Sequence, residues 1–265
     1  MISRRLVALA LVGALAGAAC TGASATPPET AATSAVSSPA AGSGSASDPE
    51  LVEAPDPRPV LPLGTFVARS RTPWLTIWQG PSTDAGKRMA FSTRNPVGQT
   101  LKFLIAKAAR DDNGDPWLRI LLPIRPNGAA GWVRKGAVTV QRINQRIVVD
   151  LSDRTLRQYR NGQVENVFSV GIGRPETPTA VGTFYAWAHV PQASPTGPYG
   201  VFALGISGFS PVLKDWPGGG RMAIHGTANP GDRGQMVSHG CVRVYNDDMA
   251  DLRRVPLGTP VVIKA

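Results

Sequence analysis

Cysteine and histidine are scarce in this 265-residue chain, and the scarcity excludes several classes of protein at once. There are two cysteines, Cys20 and Cys241, and three histidines, His189, His225 and His239. A disulfide-dense small fold needs more thiols than this. No C-x₂₋₄-C pair exists, so the usual structural zinc site has no ligand set, and a dithiol redox centre lacks its second cysteine. After the first twenty residues no stretch approaches the roughly 20 apolar residues that a membrane span requires. Acids are also in the minority, 18 against 28 Lys and Arg, giving a net charge of +10. What the chain has in plenty is Gly (29) and Pro (24), the residues of turns and loops.

The first twenty residues read as a secretory leader. Arg4 and Arg5 form a charged start, Leu6 to Leu15 a short apolar stretch, and small residues lead to Cys20. Ala18-Ala19-Cys20 resembles a bacterial lipobox, in which the cysteine is acylated and becomes the mature N-terminus. Gly17 stands where that motif prefers Leu, so a plain leader cut at an A-x-A-like site is the alternative. With lipid on Cys20, Cys241 is a lone thiol in an oxidising compartment, which is either a reactive centre or a liability.

Residues 21–58 are almost entirely Ala, Ser, Thr, Pro and Gly with scattered acids. That composition cannot bury enough apolar surface to offset ordering entropy, and it predicts a disordered linker. Removing Arg4 and Arg5 leaves +8, and the linker accounts for −4, so residues 59–265 carry +12. For an exported protein such a field favours polyanionic wall polymers, acidic peptides or anionic lipid surfaces over nucleic acid. Arginine-rich codon usage explains the same count.

Residues 59–141 change to short apolar runs broken by turns. Thr65–Ala68, Trp74–Trp78, Leu101–Ala106, Trp117–Leu122 and Gly131–Val133 read as five strands. The Asp111-Asp112-Asn113-Gly114-Asp115 cluster is a hairpin turn, and the whole predicts a small antiparallel barrel. Trp74, Trp78, Trp117 and Trp132 are either a ligand face or core. Residues 142–265 are β-rich again. Their strands are expected at Arg146–Asp150, Thr155–Tyr159, Val164–Gly171, Gly182–Ala188, Met222–His225 and Pro260–Ile263. One short helix is expected after an Asn246 N-cap, with Asp247 and Asp248 in its first turn and Arg253 and Arg254 in its last.

Chemistry concentrates in twenty residues: Ile224-His225-Gly226-Thr227-Ala228-Asn229-Pro230, a glycine-rich turn, then Ser238-His239-Gly240-Cys241-Val242-Arg243. A thiol of ordinary pKa is mostly protonated at neutral pH, and a neighbouring imidazole can remove its proton. Glycines beside a nucleophile admit a substrate carbonyl and leave N–H groups for an oxyanion hole. Both histidines precede the cysteine and none follows it. That excludes the papain-like order, and the short separation excludes the sortase-like one. His189, before Pro191, reads as a surface residue.

The patterns H-G-T-x-N-P and S-H-G-C-x-R closely resemble catalytic domains of L,D-transpeptidases of the YkuD type. Gly171–Gly173, Thr177-Pro178 and Gly182-Thr183-Phe184 resemble the G…TPxGxF region of that family, with Thr179-Ala180-Val181 a slightly longer insert. The stretch "WLRILLPIRPNGAAGWVRKGAV" resembles the end of bacterial SH3-like domains. The resemblance implies an all-β chain: an SH3-like barrel, then a β-sandwich catalytic domain with one short helix. It implies Cys241 as nucleophile and His225 as general base, its ring oriented by the Gly226 carbonyl. His239 lines the site, or is a structural hydrogen bonder. The N–H groups of Gly240 and Cys241 form the oxyanion hole. Ser238 and Arg243 brace the loop, Arg243 alternatively as a structural ion pair. No metal or organic cofactor is implied. The implied substrates are peptidoglycan stem peptides, with glycan as a further contact. The implied reaction expels a terminal D-Ala and joins two stems. An L,D-carboxypeptidase on the same scaffold and a non-catalytic wall-binding lipoprotein are the alternatives.

Overall fold

The first sheet follows from apolar runs too short for helices and separated by Gly, Pro, Asn and Asp. In the computed structural model, which describes residues 65–216 and 218–265, it has seven strands. These are β1 (Thr65–Ser70), β2 (Trp74–Trp78), β3 (Lys87–Ser92), β4 (Phe103–Arg110), β5 (Pro116–Leu121), β6 (Ala130–Arg134) and β7 (Val138–Ile143). Their order is β3-β2-β6-β5-β4-β1-β7, with every pairing antiparallel. The expected leader (1–20), linker (21–58) and Cys20 lie outside the described residues.

Two of these strands, β3 and β7, have no counterpart among the five expected. Both are edge strands, and edges keep polar and charged side chains that erase the apolar alternation. β3 has no buried residue, and β7 is buried only at its two ends. The Asp111–Asp115 turn does join β4 to β5, with Asp111 N–H bonded to the Asp115 carbonyl at 3.0 Å. The four tryptophans differ in burial. Trp117 is fully buried, its indole N–H donating to Asp111 Oδ2 at 2.9 Å, while Trp74 is 64% exposed. Trp78 and Trp132 are half-buried register partners.

The second sheet contains β8 (Gln145–Asp150), β9 (Thr155–Arg160), β10 (Gln163–Ser169), β12 (Gly182–Pro191), β13 (Phe202–Phe209), β14 (Arg221–Thr227), β16 (Val242–Tyr245) and β17 (Pro260–Lys264). A separate two-stranded ribbon pairs β11 (Ile172–Gly173) with β15 (Met236–Ser238). The order of the large sheet is β10-β9-β8-β17-β12-β13-β14-β16. Its joint is β12: Gly182–Tyr185 pair with β17, and Ala186–Pro191 pair with β13. One core results, taking Ile147 and Leu156 from one half and Leu204, Ile224 and Val244 from the other. Among the described residues the structure is all-β apart from one four-residue α-helix, α1 (Met249–Leu252), and two 3-10 turns.

That helix starts later than expected, and Asn246 does not cap it. The Asn246 side chain instead accepts from Val201 N–H (3.1 Å) and donates to the Pro195 carbonyl (2.8 Å). A second correction concerns His189, which is half-buried rather than a surface group. Its Nε2 meets the Val255 carbonyl at 2.8 Å, and its N–H donates to Gln99 Oε1 at 2.9 Å. Gln99 belongs to the turn before β4, so His189 helps tie the two sheets within the compact unit of residues 57–265.

β13 also escapes sequence reading, for the opposite reason to the edge strands. All eight of its residues are buried, so no polar face marks a period of two. Gly208 is required there: an added Cβ would lie 2.5 Å from the Phe184 ring and 3.0 Å from the Met222 methyl. Overpacking of this kind costs about 1–3 kcal/mol. Gly208→Ala is therefore expected to lower the thermal midpoint by several degrees, measured by circular dichroism or calorimetry, with the β-sheet spectrum unchanged below the transition.

Candidate active site

The end of β14 and the start of β16 lie side by side in parallel, with Ile224 opposite Val242 and His225 opposite Arg243. Side chains alternate along strands, so Cys241, two residues before Arg243, returns to the face that His225 occupies. Cys241 stands one residue before β16, level with Ala223 when the Ile224–Val242 register is extended by one. Thus neighbouring strands, not a shared loop, bring the expected cysteine and histidine together.

His225 is 3% exposed, and its Nδ1 lies 2.9 Å from the Gly226 carbonyl. A carbonyl only accepts, so the hydrogen of a neutral ring sits on Nδ1 and Nε2 is left as the basic nitrogen. The Tyr199 ring packs edge-on against the imidazole at 5.1 Å. Burial pushes the His225 pKa down to about 4; the Gly226 bond opposes that fall, Arg243 adds to it and Asp232 opposes it. Burial also pushes the Cys241 thiol up, against the Ala223 backbone and the Arg243 charge. At neutral pH the free site therefore holds a neutral thiol and a neutral imidazole.

The glycine of the H-G pair has a steric reason. A Cβ at Gly226 would lie 2.4 Å from Asn246 Oδ1 and 3.0 Å from Val201 N. The turn that follows is organised by Asp232, which sequence reasoning missed. Its carboxylate is 2% exposed and accepts from Thr227 Oγ1 (2.6 Å), Asn229 Nδ2 (3.0 Å) and Arg243 Nη1 (3.1 Å). Arg243 thus takes the ion-pair role, linking the second motif to the first. The signal for Asp232 was present: a Thr and an Asn with no assigned task, followed within five residues by an acid.

The nucleophile loop is pinned from both sides. Ser238 Oγ donates to the Cys241 carbonyl (2.5 Å) and accepts from Gly240 N–H (3.1 Å). The Gly240 N–H, one of the two groups expected to line an oxyanion hole, is thus bonded to Ser238 in the free site. Gly240 itself sits at φ +111, a conformation for which glycine is suited. The Ser238 carbonyl accepts from Arg174 N–H (3.0 Å) and Thr177 Oγ1 (3.1 Å), which docks the upstream Thr-Pro segment onto the loop. Thr179, in the longer insert, turns inward to accept from Gly173 N–H at 2.9 Å. His239 is exposed and stacks on Trp216, centroids 5.1 Å apart and planes 24° from parallel. Trp216 was not singled out from the sequence, since the stretch 191–220 carries no legible pattern.

The second half of the chain is similar to known proteins. Residues 144–263 match the YkuD family, described as the L,D-transpeptidase catalytic domain. YqjB of Bacillus subtilis, named as a candidate L,D-transpeptidase, is 30% identical over 129 residues, which cover 44% of this chain and 69% of that protein. The chain belongs to the YkuD family of L,D-transpeptidase catalytic domains. YkuD of Bacillus licheniformis, similarly named, is 37% identical over 122 residues, 46% of this chain. The chain spans 66% of that relative's length and 64% of the YkuD of Bacillus subtilis. Among solved structures, the catalytic domain of Enterococcus faecium L,D-transpeptidase acylated by ertapenem is 28% identical. The match covers 46% of this chain and 97% of that one, with a TM-score of 0.35.

The depressed His225 pKa makes stability depend on pH in a defined window. Unfolded, the ring takes up its proton near 6.5; folded, it resists until about 4. Stability from this group is complete above 6.5 and declines as pH falls toward 4, by up to about 1.4 kcal/mol per pH unit. Urea titrations at pH 7, 6, 5 and 4.5 are expected to show that slope in the wild type. The slope is expected to be smaller in His225→Gln, which has no proton to gain.

Proposed function

We propose that this YkuD-family chain forms peptidoglycan cross-links through a thioester on Cys241. The observation that carries the reading is a buried, neutral His225 with Nδ1 committed to the Gly226 carbonyl, on the strand face that Cys241 shares. A base held neutral can accept the thiol proton at the moment of attack. Cys241 gives its proton to His225 Nε2 and its sulfur adds to the carbonyl carbon of the third residue of a tetrapeptide stem. The bond to the terminal D-Ala breaks as His225 returns the proton to the leaving amine. The amine of a second stem then attacks the thioester carbon, its surplus proton passing by way of His225 to the departing Cys241 thiolate. Water in place of that amine gives the L,D-carboxypeptidase reaction.

Negative charge on the tetrahedral oxygen is assigned to the Cys241 N–H, since the Gly240 N–H is held by Ser238. His239, exposed against Trp216, is assigned to the wall along which the acceptor amine enters. An SH3-like identity for the first sheet, contact with glycan, export, and a lipid anchor on Cys20 at the outer membrane face belong to the same reading. The stretch Trp117–Val138 supports the first of these, and the leader-like start, the linker composition and the +12 charge of residues 59–265 support the others.

Incubation of the purified chain with disaccharide-tetrapeptide, read by mass spectrometry, tests the reaction. A cross-linked dimer lacking one D-Ala, absent with Cys241→Ala, is the expected result. Tripeptide alone would establish the hydrolase, and no product from folded protein would leave a wall-binding role. A nucleophilic thiol also predicts an intact-mass adduct with a carbapenem that Cys241→Ala abolishes; wild-type protein that stays unmodified would contradict it. The mass of the mature N-terminus decides the anchor.

A further inference from the structure

The loop between β13 and β14 carries Trp216 to its stack on His239, two residues from Cys241. The catalytic sheet supplies little of what holds this loop. Ser210 N–H closes its base on the Gly220 carbonyl (2.7 Å), and Ser210 Oγ accepts from Val212 N–H (3.3 Å) and Leu213 N–H (3.0 Å). Within the loop the Trp216 carbonyl also accepts from Gly219 N–H (2.8 Å) and Gly220 N–H (3.2 Å), and further anchors come from the other sheet. Arg125, in the turn between β5 and β6, donates Nη1 to the Ser210 carbonyl (2.9 Å). Its Nη2 donates to the carbonyls of Leu213 (3.0 Å) and Gly219 (2.9 Å). Both ends and the middle of the loop thus converge on one guanidinium.

Neighbouring contacts fix where that guanidinium sits. Its carbon lies 4.8 Å from the centroid of the Phe209 ring, which also receives Arg221 at 4.2 Å. Asn127, two residues on, grips the Phe209 backbone through Nδ2 to its carbonyl (2.8 Å) and Oδ1 from its N–H (2.9 Å). Arg221 Nη2 reaches back to the Pro123 carbonyl at 3.1 Å. Among the described residues Arg125 pairs with no carboxylate, so its charge is spent on loop carbonyls, and charge-assisted bonds are the stronger kind. A planar fork with five donors suits three diverging carbonyls, whereas a lysine ammonium has no such geometry.

We infer that Arg125 is a positioning residue for the acylation site, which makes the N-terminal sheet a structural part of that site. It acts through the loop: the clamp sets Trp216, and Trp216 sets the ring plane of His239 at the entrance to Cys241. Arg125 is itself exposed, and water can replace it on the carbonyls. Its loss therefore disorders the loop without a large cost in global stability. The kinetic part of this inference rests on the proposed reaction at Cys241, whereas the structural part does not.

Arg125→Ala, Arg125→Lys and wild type are compared in the full chain, with Arg119→Ala on β5 as a remote control. Acrylamide quenching of Trp216, read as the difference from Trp216→Phe, reports the loop. Turnover of disaccharide-tetrapeptide reports the site, and the thermal midpoint reports the fold. Arg125→Ala is expected to make Trp216 more quenchable and to lower kcat/KM roughly tenfold, chiefly through KM, since misplaced contacts penalise a site steeply. Its midpoint stays close to wild type. Arg125→Lys recovers part of the loss, and added guanidinium restores Arg125→Ala. Unchanged quenching in Arg125→Ala would overturn the inference. So would a kinetic loss that tracks a falling midpoint equally in Ala and Lys variants, or one that guanidinium does not reverse. Should wild type fail to turn over the peptide, the proposed reaction falls, and the quenching comparison still decides the clamp.

Discussion

The buried carboxylate of Asp232 is the interaction on which the site depends. It gathers Thr227 and Asn229 from the turn after β14 and Arg243 from β16. Two motifs separated in sequence are thereby held in one register. Gly171 adds a backbone clasp from a third segment, exchanging two hydrogen bonds with Arg243 at 2.7 and 2.8 Å. Removing one partner of a buried pair typically costs about 3–5 kcal/mol, because the other is left unpaired. In physical terms, Thr227, Asn229 and Arg243 are joined by the one carboxylate that all three satisfy.

That frame lets the chemical groups rest uncharged. His225 lies in a closed environment that disfavours the imidazolium, and Cys241 in one that disfavours the thiolate. The cationic Arg243 adds to the first effect and opposes the second. Its charge is already balanced by Asp232 at 3.1 Å, so it tunes the pair without supplying a strong field. A neutral pair of this kind suits the proposed reaction if the thiol proton moves during attack, in contrast to a pre-formed thiolate–imidazolium pair.

The N-terminal sheet enters the same logic from outside. Its β5–β6 turn supplies Arg125 and Asn127 to the far side of β13, and its Asn95–Gln99 turn holds Trp187 and His189 of β12. Both contacts fall on the two strands that precede β14. A sheet that looks like an appended module is therefore packed against the strands that position the active site. Tyr185, fully buried, completes the seam by donating its hydroxyl to the Leu121 carbonyl at 3.3 Å.

By itself the sequence determined the all-β character, the hairpin at Asp111–Asp115 and the cluster His225, Ser238, His239, Gly240, Cys241 and Arg243. Each is a local pattern: strand-length apolar runs, turn residues at fixed offsets, or reactive side chains a few positions apart. Tertiary structure alone decided the rest. β3 and β7 have polar faces because they are edges, and β13 has none because it is buried on both, so neither shows the alternation by which strands are read. Asn246 left its expected cap to bridge residues 195–201, a choice made by packing against a distant segment. Asp232, Trp216 and Arg125 gain their roles only when chain segments far apart in sequence meet. Hydrogen bonds across 85 to 94 positions, such as those from Arg125, leave no trace in any local window.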